Sequence, residues 1–327
     1  MLLIYNDNTN PYFNLAMEEY LLKNSTEDLF VLWRNKPSVI VGKNQNTLSE
    51  INIDYVNENS IPVVRRQSGG GAVFHDLGNI NFTFISCNNN SSSDFKKFTQ
   101  PIIDLLKTMG LDAELSDRND FLLDGKKFSQ NAQYNYKNKV MHHGTLLFSS
   151  QITDLSNALK VKSLKSVKSR ITNISEHLNV KMNVLKFKDL IMNHMSSINP
   201  HNKFYSLSKD DISKIEKLVQ DKYRTWEWNF GNSPKYSFSN ELKYPGGSVE
   251  FNLEIDRGVI SKIKFFGDFF GKKDIETLEI LLRGINHKED DLREVLSHID
   301  IDDYLLGADI EVLISGILGA KQKVGAL

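Results

Sequence analysis

The run Arg65-Arg-Gln-Ser-Gly-Gly-Gly-Ala-Val-Phe-His-Asp-Leu-Gly-Asn-Ile-Asn-Phe-Thr-Phe84 joins apolar, strand-like segments through three consecutive glycines. Ile61-Pro-Val-Val leads into it. Ala72-Val-Phe-His and Asn79-Ile-Asn-Phe-Thr-Phe-Ile resume after it as further strands. In the last of these, Ile80, Phe82 and Phe84 alternate with Asn81 and Thr83, the period-two pattern of a half-buried strand. The N–H groups of Gly69, Gly70 and Gly71 meet no Cβ barrier and tolerate positive φ, so this turn can cradle a phosphate. The G-x-x-x-x-G-K-[ST] spacing of a P-loop is absent, and a strand follows the glycines instead of a helix. Nucleotide handling without that loop points toward adenylylation. A flexible hairpin loop with solvent-exposed arginines explains the same residues equally well.

Outward from this run, Phe13, Ala16, Met17, Tyr20 and Leu21 share one helical face, with Pro11 suited to the first turn. Leu29-Phe-Val-Leu-Trp and Ser38-Val-Ile-Val-Gly read as neighbouring strands broken at Pro37. Residues 87–93 form an Asn/Ser tract that reads as an exposed loop, and residues 98–109 an amphipathic helix ending at Gly110. Phe121-Leu-Leu, Asp124-Gly125 and Lys126-Lys-Phe-Ser predict a hairpin, because Asp-Gly suits a type I′ turn. His143-Gly-Thr-Leu-Leu-Phe is a further strand. Near the C-terminus, strands over 249–255 and 259–266 meet at Asp256-Arg257-Gly258, and helices follow around 275–282, 291–298 and 308–318. Tyr244-Pro-Gly-Gly is the linker this pattern suggests.

A chain of 327 residues is longer than most single domains, so a large domain with a smaller one appended is expected. Lys and Arg number 40 against 41 Asp and Glu, a net charge of −1 that supplies no global field for nucleic acid or an anionic membrane. A single cysteine, Cys87, excludes an internal disulfide and a thiolate metal site, and suits the cytoplasm. The apolar start Leu2-Leu-Ile-Tyr gives way to Asn6-Asp-Asn, too short for a signal peptide or a membrane span.

Adjacent strand residues point to opposite faces, so only one of Lys126 and Lys127 can address a site. On composition alone both read as surface residues. The same alternation keeps His142 and His143 from sharing one metal. Cys87, beside a polar loop, lacks the surroundings of an activated nucleophile. Trp226-Glu-Trp-Asn-Phe reads as core or interface packing.

Taken together, these residues resemble one family. The 65–84 run resembles the signature of lipoate-protein ligases. Asn10-Pro-Tyr-Phe-Asn-Leu-Ala-Met-Glu-Glu-Tyr, Gly42-Lys-Asn-Gln-Asn, the stretch from Arg118-Asn-Asp through Lys127-Phe-Ser-Gln-Asn-Ala-Gln to His143-Gly-Thr-Leu-Leu, Lys165-Ser-Val-Lys-Ser-Arg-Ile-Thr-Asn and Trp226-Glu-Trp-Asn-Phe-Gly-Asn-Ser-Pro are similar to family segments in order and spacing. The resemblance covers essentially the whole chain. It implies an α/β (α+β) mixed-sheet catalytic domain of the biotin/lipoate ligase type over residues 1–244, with a small α+β accessory domain over 248–327. It further implies a monomer that converts lipoate and ATP, with Mg²⁺, to lipoyl-AMP and pyrophosphate. The lipoyl group, or octanoyl in its place, would then pass to a lysine of lipoyl domains in 2-oxoacid dehydrogenases or of the glycine-cleavage H protein. By the same resemblance Arg66, Gly71, Ala72, Val73 and Phe74 match ATP-binding positions. Lys127 matches the lysine that touches both nucleotide and lipoate, while Ser68, Gly69, Gly70 and His143 line the lipoate pocket.

A carboxylate attacking an α-phosphate brings two anions together, and Lys127 between them would lower that barrier. Asp120 is a candidate Mg²⁺-linked residue. The segment 160–168 is a candidate water-excluding lid or a solvated basic face. Gln130 departs from the family's Lys-x-Ser-Gly-Asn-Ala pattern, where glycine is usual, and could narrow the pocket. Two other readings remain: a thioester acyltransferase working through Cys87, and a non-catalytic lipoyl-domain binder on the same fold.

Overall fold

The structure is a computed structural model describing residues 1–45, 47–87, 95–116, 120–159, 170–225, 227–231, 238–256 and 259–318. The chain forms two compact units: Met1–Val41, Leu48–Arg66 and Ala72–Asn229 in the first, and Gly42–Thr47, Gln67–Gly71 and Phe230–Leu327 in the second.

The strands are β1 (Leu2–Tyr5), β2 (Leu29–Trp33), β3 (Ser38–Val41), β4 (Val63–Arg65), β5 (Val73–His75), β6 (Asn79–Ser86), β7 (Ala113–Leu115), β8 (Phe121–Leu123), β9 (Lys126–Lys127), β10 (Ser129–Tyr136), β11 (Lys139–Leu147) and β12 (Lys203–Phe204) in the first unit. Four helices matter for its packing: α1 (Pro11–Asn24), α2 (Phe95–Thr108), α3 (Val184–Ser197) and α4 (Lys209–Leu218). A six-stranded sheet in the order β10-β11-β6-β2-β1-β12 forms its spine. It is mixed, as expected: β1 runs parallel to β2 and β12, whereas β2, β6, β11 and β10 pair antiparallel. Phe30, Phe82 and Phe84 face α2 and α3 through Ile102, Leu106, Phe187 and Ile191. Val31, Trp33 and Met141 face α1 and α4 through Ala16, Met17 and Ile215. Helices thus cover both faces, which buries the apolar stripe of each layer.

Local chemistry sets several boundaries. Pro11 opens α1, where its missing N–H costs nothing, and the Asn10 side chain caps the Tyr12 N–H at 3.0 Å. Asp124 and Gly125 take φ of 50° and 73°, the positive pair that the β8–β9 hairpin requires.

Three expectations are corrected. β2 and β3 are not neighbours: β3 leaves for a separate sheet, parallel to β4 and antiparallel to β5. Buried Asn35 redirects the chain, accepting from Asn14 Nδ2 at 2.8 Å and contacting His75 Nδ1 at 3.1 Å. β6 is buried on both faces: Thr83 bonds Glu18 of α1, and buried Asn81 accepts from Asn79 on the same side. Cys87 is buried, with Sγ turned toward the carbonyls of Glu27 and Ser25 at 3.2 and 3.5 Å. The rest of the 87–93 tract and the 160–168 segment lie outside the described residues.

The second unit contains an antiparallel sheet of β13 (Phe238–Tyr244), β14 (Gly247–Asp256) and β15 (Val259–Asp268), with helices α5 (Ile275–Leu282), α6 (Glu289–Leu296) and α7 (Ile310–Leu318). Val249, Phe251, Leu253, Ile263 and Phe265 pack against Leu278, Leu282, Leu292 and Leu313. Tyr244-Pro-Gly-Gly is the turn between β13 and β14, with Tyr244 paired to Gly247, and is not a linker. Buried Glu279 on α5 accepts the Phe265 N–H at 3.1 Å and binds Lys264 at 2.6 Å, closing the β15 edge. No helix among the described residues is long and apolar enough to cross a membrane.

Two buried histidines give the first unit an acid-labile character. Burial, with Arg66 and His143 nearby, pushes His75 down to about 3, and burial beside His143 pushes His142 down to about 4. Both stay neutral in the fold where the unfolded chain takes up a proton. The stability they contribute is full above the ordinary histidine range near 6.5 and is lost as pH falls toward 4 and 3. At pH 5 each costs on the order of 1–2 kcal/mol. The urea midpoint of the protein is expected to drop between pH 7 and pH 5, and to drop less in His75→Gln; an equal drop in both would contradict this assignment.

Candidate active site

Antiparallel register builds a polar surface on the α1 side of the main sheet. Gln130, Thr145, Asn81 and Trp33 stand in one row across β10, β11, β6 and β2, and Ala132, His143, Thr83 and Val31 in the next. Directly opposed residues share a face, so His143 and Gln130 point to the same side. His142 points to the other, its ring 4.6 Å from that of Phe98.

Glu18, buried on α1, ties this surface together. Its Oε1 accepts from the Thr83 hydroxyl at 2.6 Å and lies 2.9 Å from His143 Nδ1. Trp33 Nε1 donates to the same Thr83 oxygen at 3.0 Å. The chain Trp33–Thr83–Glu18–His143 fixes the orientation of the imidazole. Nearby on β5 and β6, His75 Nε2, Asn79 Oδ1 and Asn81 Nδ2 are buried with no hydrogen-bond partner among the described residues. Orphaned buried polar atoms cost about 1–3 kcal/mol each, and such a cluster marks a surface built to meet a polar ligand.

Arg66, at the end of β4, is buried; its N–H donates to Val41 O at 3.0 Å and its guanidinium to Ile40 O at 3.3 Å. Arg65 is also fully buried, so the picture of two solvent-exposed arginines does not hold. Ala72 and Val73 are half-buried, and Phe74 is buried on β5.

Lys126 and Lys127 are both exposed on β9. They differ in what they meet. The Lys127 ammonium forms an ion pair with Asp120, whose carboxylate is buried. Its backbone is held by Arg170 O and the Thr172 N–H, both at 2.9 Å. Asp120 is therefore engaged by Lys127. Among the described residues no group of three or more His, Cys, Asp or Glu could hold a metal.

The glycine turn belongs to the second unit, whereas Arg66, Ala72–Phe74, Lys127 and His143 belong to the first. Ser68 is buried and its carbonyl accepts the Lys43 N–H at 2.8 Å. A Cβ on Gly69 would run into the Phe269 carbonyl, and Gly70 has a φ of 91°, so neither position accepts a side chain without strain.

Sequence reasoning missed Glu18, Thr83, Trp33, His75, Asn79 and Asn81. Asn14 and Glu18, one turn apart and buried among the apolar residues of α1, are a usable signal, but the partners of Glu18 lie on distant strands. Burial pushes the Cys87 thiol up and its sulfur faces two carbonyls, which disfavours the thiolate that a thioester route would need.

Comparison with known proteins agrees with this architecture. The model of the lipoyl protein ligase A/B catalytic domain matches residues 10–196, and that of the bacterial lipoate protein ligase C-terminus matches residues 233–317. Lipoate-protein ligase LplJ of Bacillus subtilis is 43% identical over 317 residues, covering 93% of this chain and 96% of its own length. Lipoate–protein ligase 1 of Staphylococcus aureus is 44% identical over 325 residues, covering 96% and 99%. Among solved structures, P. falciparum LipL1 in complex with lipoate superposes with a TM-score of 0.81 at 26% identity, covering 97% of this chain and 99% of its own. A lipoate-protein ligase A bound with ATP gives 0.63 at 27% identity, covering 70% and 98%. A bipartite lipoate protein ligase from Thermoplasma acidophilum, studied with its E2 lipoyl domain, gives 0.64 at 27% identity, covering 72% and 98%. With both family models matched in order along the chain, and relatives at this identity over nearly its full length, this chain is an enzyme of the lipoate-protein ligase family.

Proposed function

We propose that this enzyme activates lipoate with ATP to lipoyl-AMP and passes the lipoyl group to a lysine of a lipoyl-domain acceptor. The observation that carries this reading is Lys127. Its side chain is 48% exposed while its partner Asp120 is nearly buried, so the ammonium can leave one carboxylate for incoming anions without unfolding anything. Relatives bound with lipoate and with ATP support both substrates, and the ligase studied with its E2 lipoyl domain supports the acceptor class.

In the first step a lipoate carboxylate oxygen attacks the α-phosphorus, and the bond to the pyrophosphate oxygen breaks. Lys127 sits between the two anions and offsets their repulsion, more in the transition state than before it. Arg66 and Gly71–Phe74 would hold the nucleotide, whose magnesium arrives as part of the substrate. Ser68, Gly69, Gly70 and His143 would line the lipoate side, with Glu18 fixing the imidazole. In the second step the acceptor amine attacks the acyl carbonyl, AMP leaves with the electron pair of the C–O bond, and the amine gives up a proton. Asp120 acts on this reading as the resting partner of Lys127. Octanoate is an alternative acyl substrate, dehydrogenase lipoyl domains and the H protein are the acceptors, and the enzyme works as a cytoplasmic monomer.

With ATP and lipoate, the protein is expected to release pyrophosphate and form an acyl-adenylate visible by mass. Lys127→Ala should lower this rate by about a hundredfold or more, as for other lost transition-state charges, whereas Lys126→Ala should change it little. Equal losses from the two would contradict the assignment. Gln130 shares the His143 face, so Gln130→Gly should raise kcat/KM for a bulkier lipoate analogue relative to lipoate. An unchanged ratio would remove Gln130 from the pocket wall.

A further inference from the structure

Arg65 is a fully buried cation next to Arg66, and the two chains of contacts around it end on one pair of residues. Its backbone N–H donates to Asn229 Oδ1 at 2.9 Å, its Nε to Trp228 O at 3.0 Å, and its guanidinium to Asn229 O at 3.2 Å. In return Trp228 Nε1 donates to Arg65 O at 2.9 Å. The Asn229 amide is otherwise spent on the Tyr223 and Thr225 carbonyls at 2.8 and 3.0 Å. Behind it, Lys222 lies 3.9 Å from the centre of a Trp228 ring and 2.8 Å from buried Glu19, which also accepts from Tyr223 at 2.7 Å. A continuous polar brace therefore runs from α1 to the peptide that precedes Arg66.

We infer that Trp228 and Asn229 are positioning residues for Arg66, clamping the Arg65 peptide so that the next guanidinium is set for ATP. Two features favour this over a purely structural role. The clamp holds main-chain atoms on both sides of Arg65, which fixes the direction in which Arg66 leaves the strand. On the other side the Arg66 N–H is bound by Val41 O, so Arg66 has both of its flanking supports in backbone hydrogen bonds. Strand alternation then turns Arg66 away from the brace. The inference rests on Arg66 binding ATP, as proposed above.

The test uses the full chain and steady-state adenylation, with pyrophosphate release read against ATP and lipoate separately. Asn229→Ala removes the amide contacts, and Arg65→Lys keeps the charge but loses the forked donors. Both should raise the KM for ATP by roughly tenfold or more while the KM for lipoate moves by less than about twofold, the signature of displaced nucleotide contacts. Asn229→Asp, which retains the acceptor for the Arg65 N–H, should recover part of the loss. Thermal unfolding identifies any variant that fails to fold, and the other variant then decides. An unchanged ATP KM in a folded variant, or a parallel rise in both KM values, overturns the positioning role with the ligase reading intact. A wild-type protein that neither binds nor consumes ATP overturns both.

Discussion

The buried carboxylate of Glu18 organises the polar face of the first unit. A charge inside a helix-covered sheet costs several kcal/mol unless it is hydrogen-bonded. Here the cost is met by placing Thr83 and His143 directly opposite Glu18 and Trp33 behind Thr83. That requirement fixes which face of β6 and β11 is polar, and through strand register it places Asn81, Thr145 and Gln130 beside them. The other face of the same strands carries Ile80, Phe82, Phe84 and Leu146, with His142 packed against Phe98, and seats α2 and α3.

The chemistry then divides between rigid and exchangeable parts. His143 and the two arginines are buried and held by fixed partners, which on the proposed reading suits His143 and Arg66 as groups that keep their places during reaction. Lys127 differs, carried on a hairpin whose Asp-Gly turn is local and whose ammonium is half-exposed. On the proposed reading the ammonium faces carboxylate and phosphate in succession, which needs that freedom, and the backbone contacts to Arg170 and Thr172 keep its strand in place.

Much of this was legible in the sequence where the cause is local. Pro11 marked the start of α1, Asp124-Gly125 marked the turn before Lys127, and the glycine run marked a chain reversal between strands. What was not legible depends on contacts between distant residues. The departure of β3 from β2 follows from Asn35 meeting Asn14 and His75, and the burial of Arg65 from carbonyls at Trp228 and Asn229. Tyr244-Pro-Gly-Gly carries the composition of a linker and of a hairpin turn alike, and only its pairing partner separates the two. Alternation in β6 predicted one exposed face because no sequence pattern shows that a helix covers it.

The most direct measurement is the mass of a lipoyl-domain acceptor after incubation with this protein and lipoate, with and without ATP. A single lipoyl adduct on one acceptor lysine, formed only when ATP is present, is the expected result. An adduct formed without ATP, or no adduct on any lipoyl domain while ATP is consumed, would contradict it.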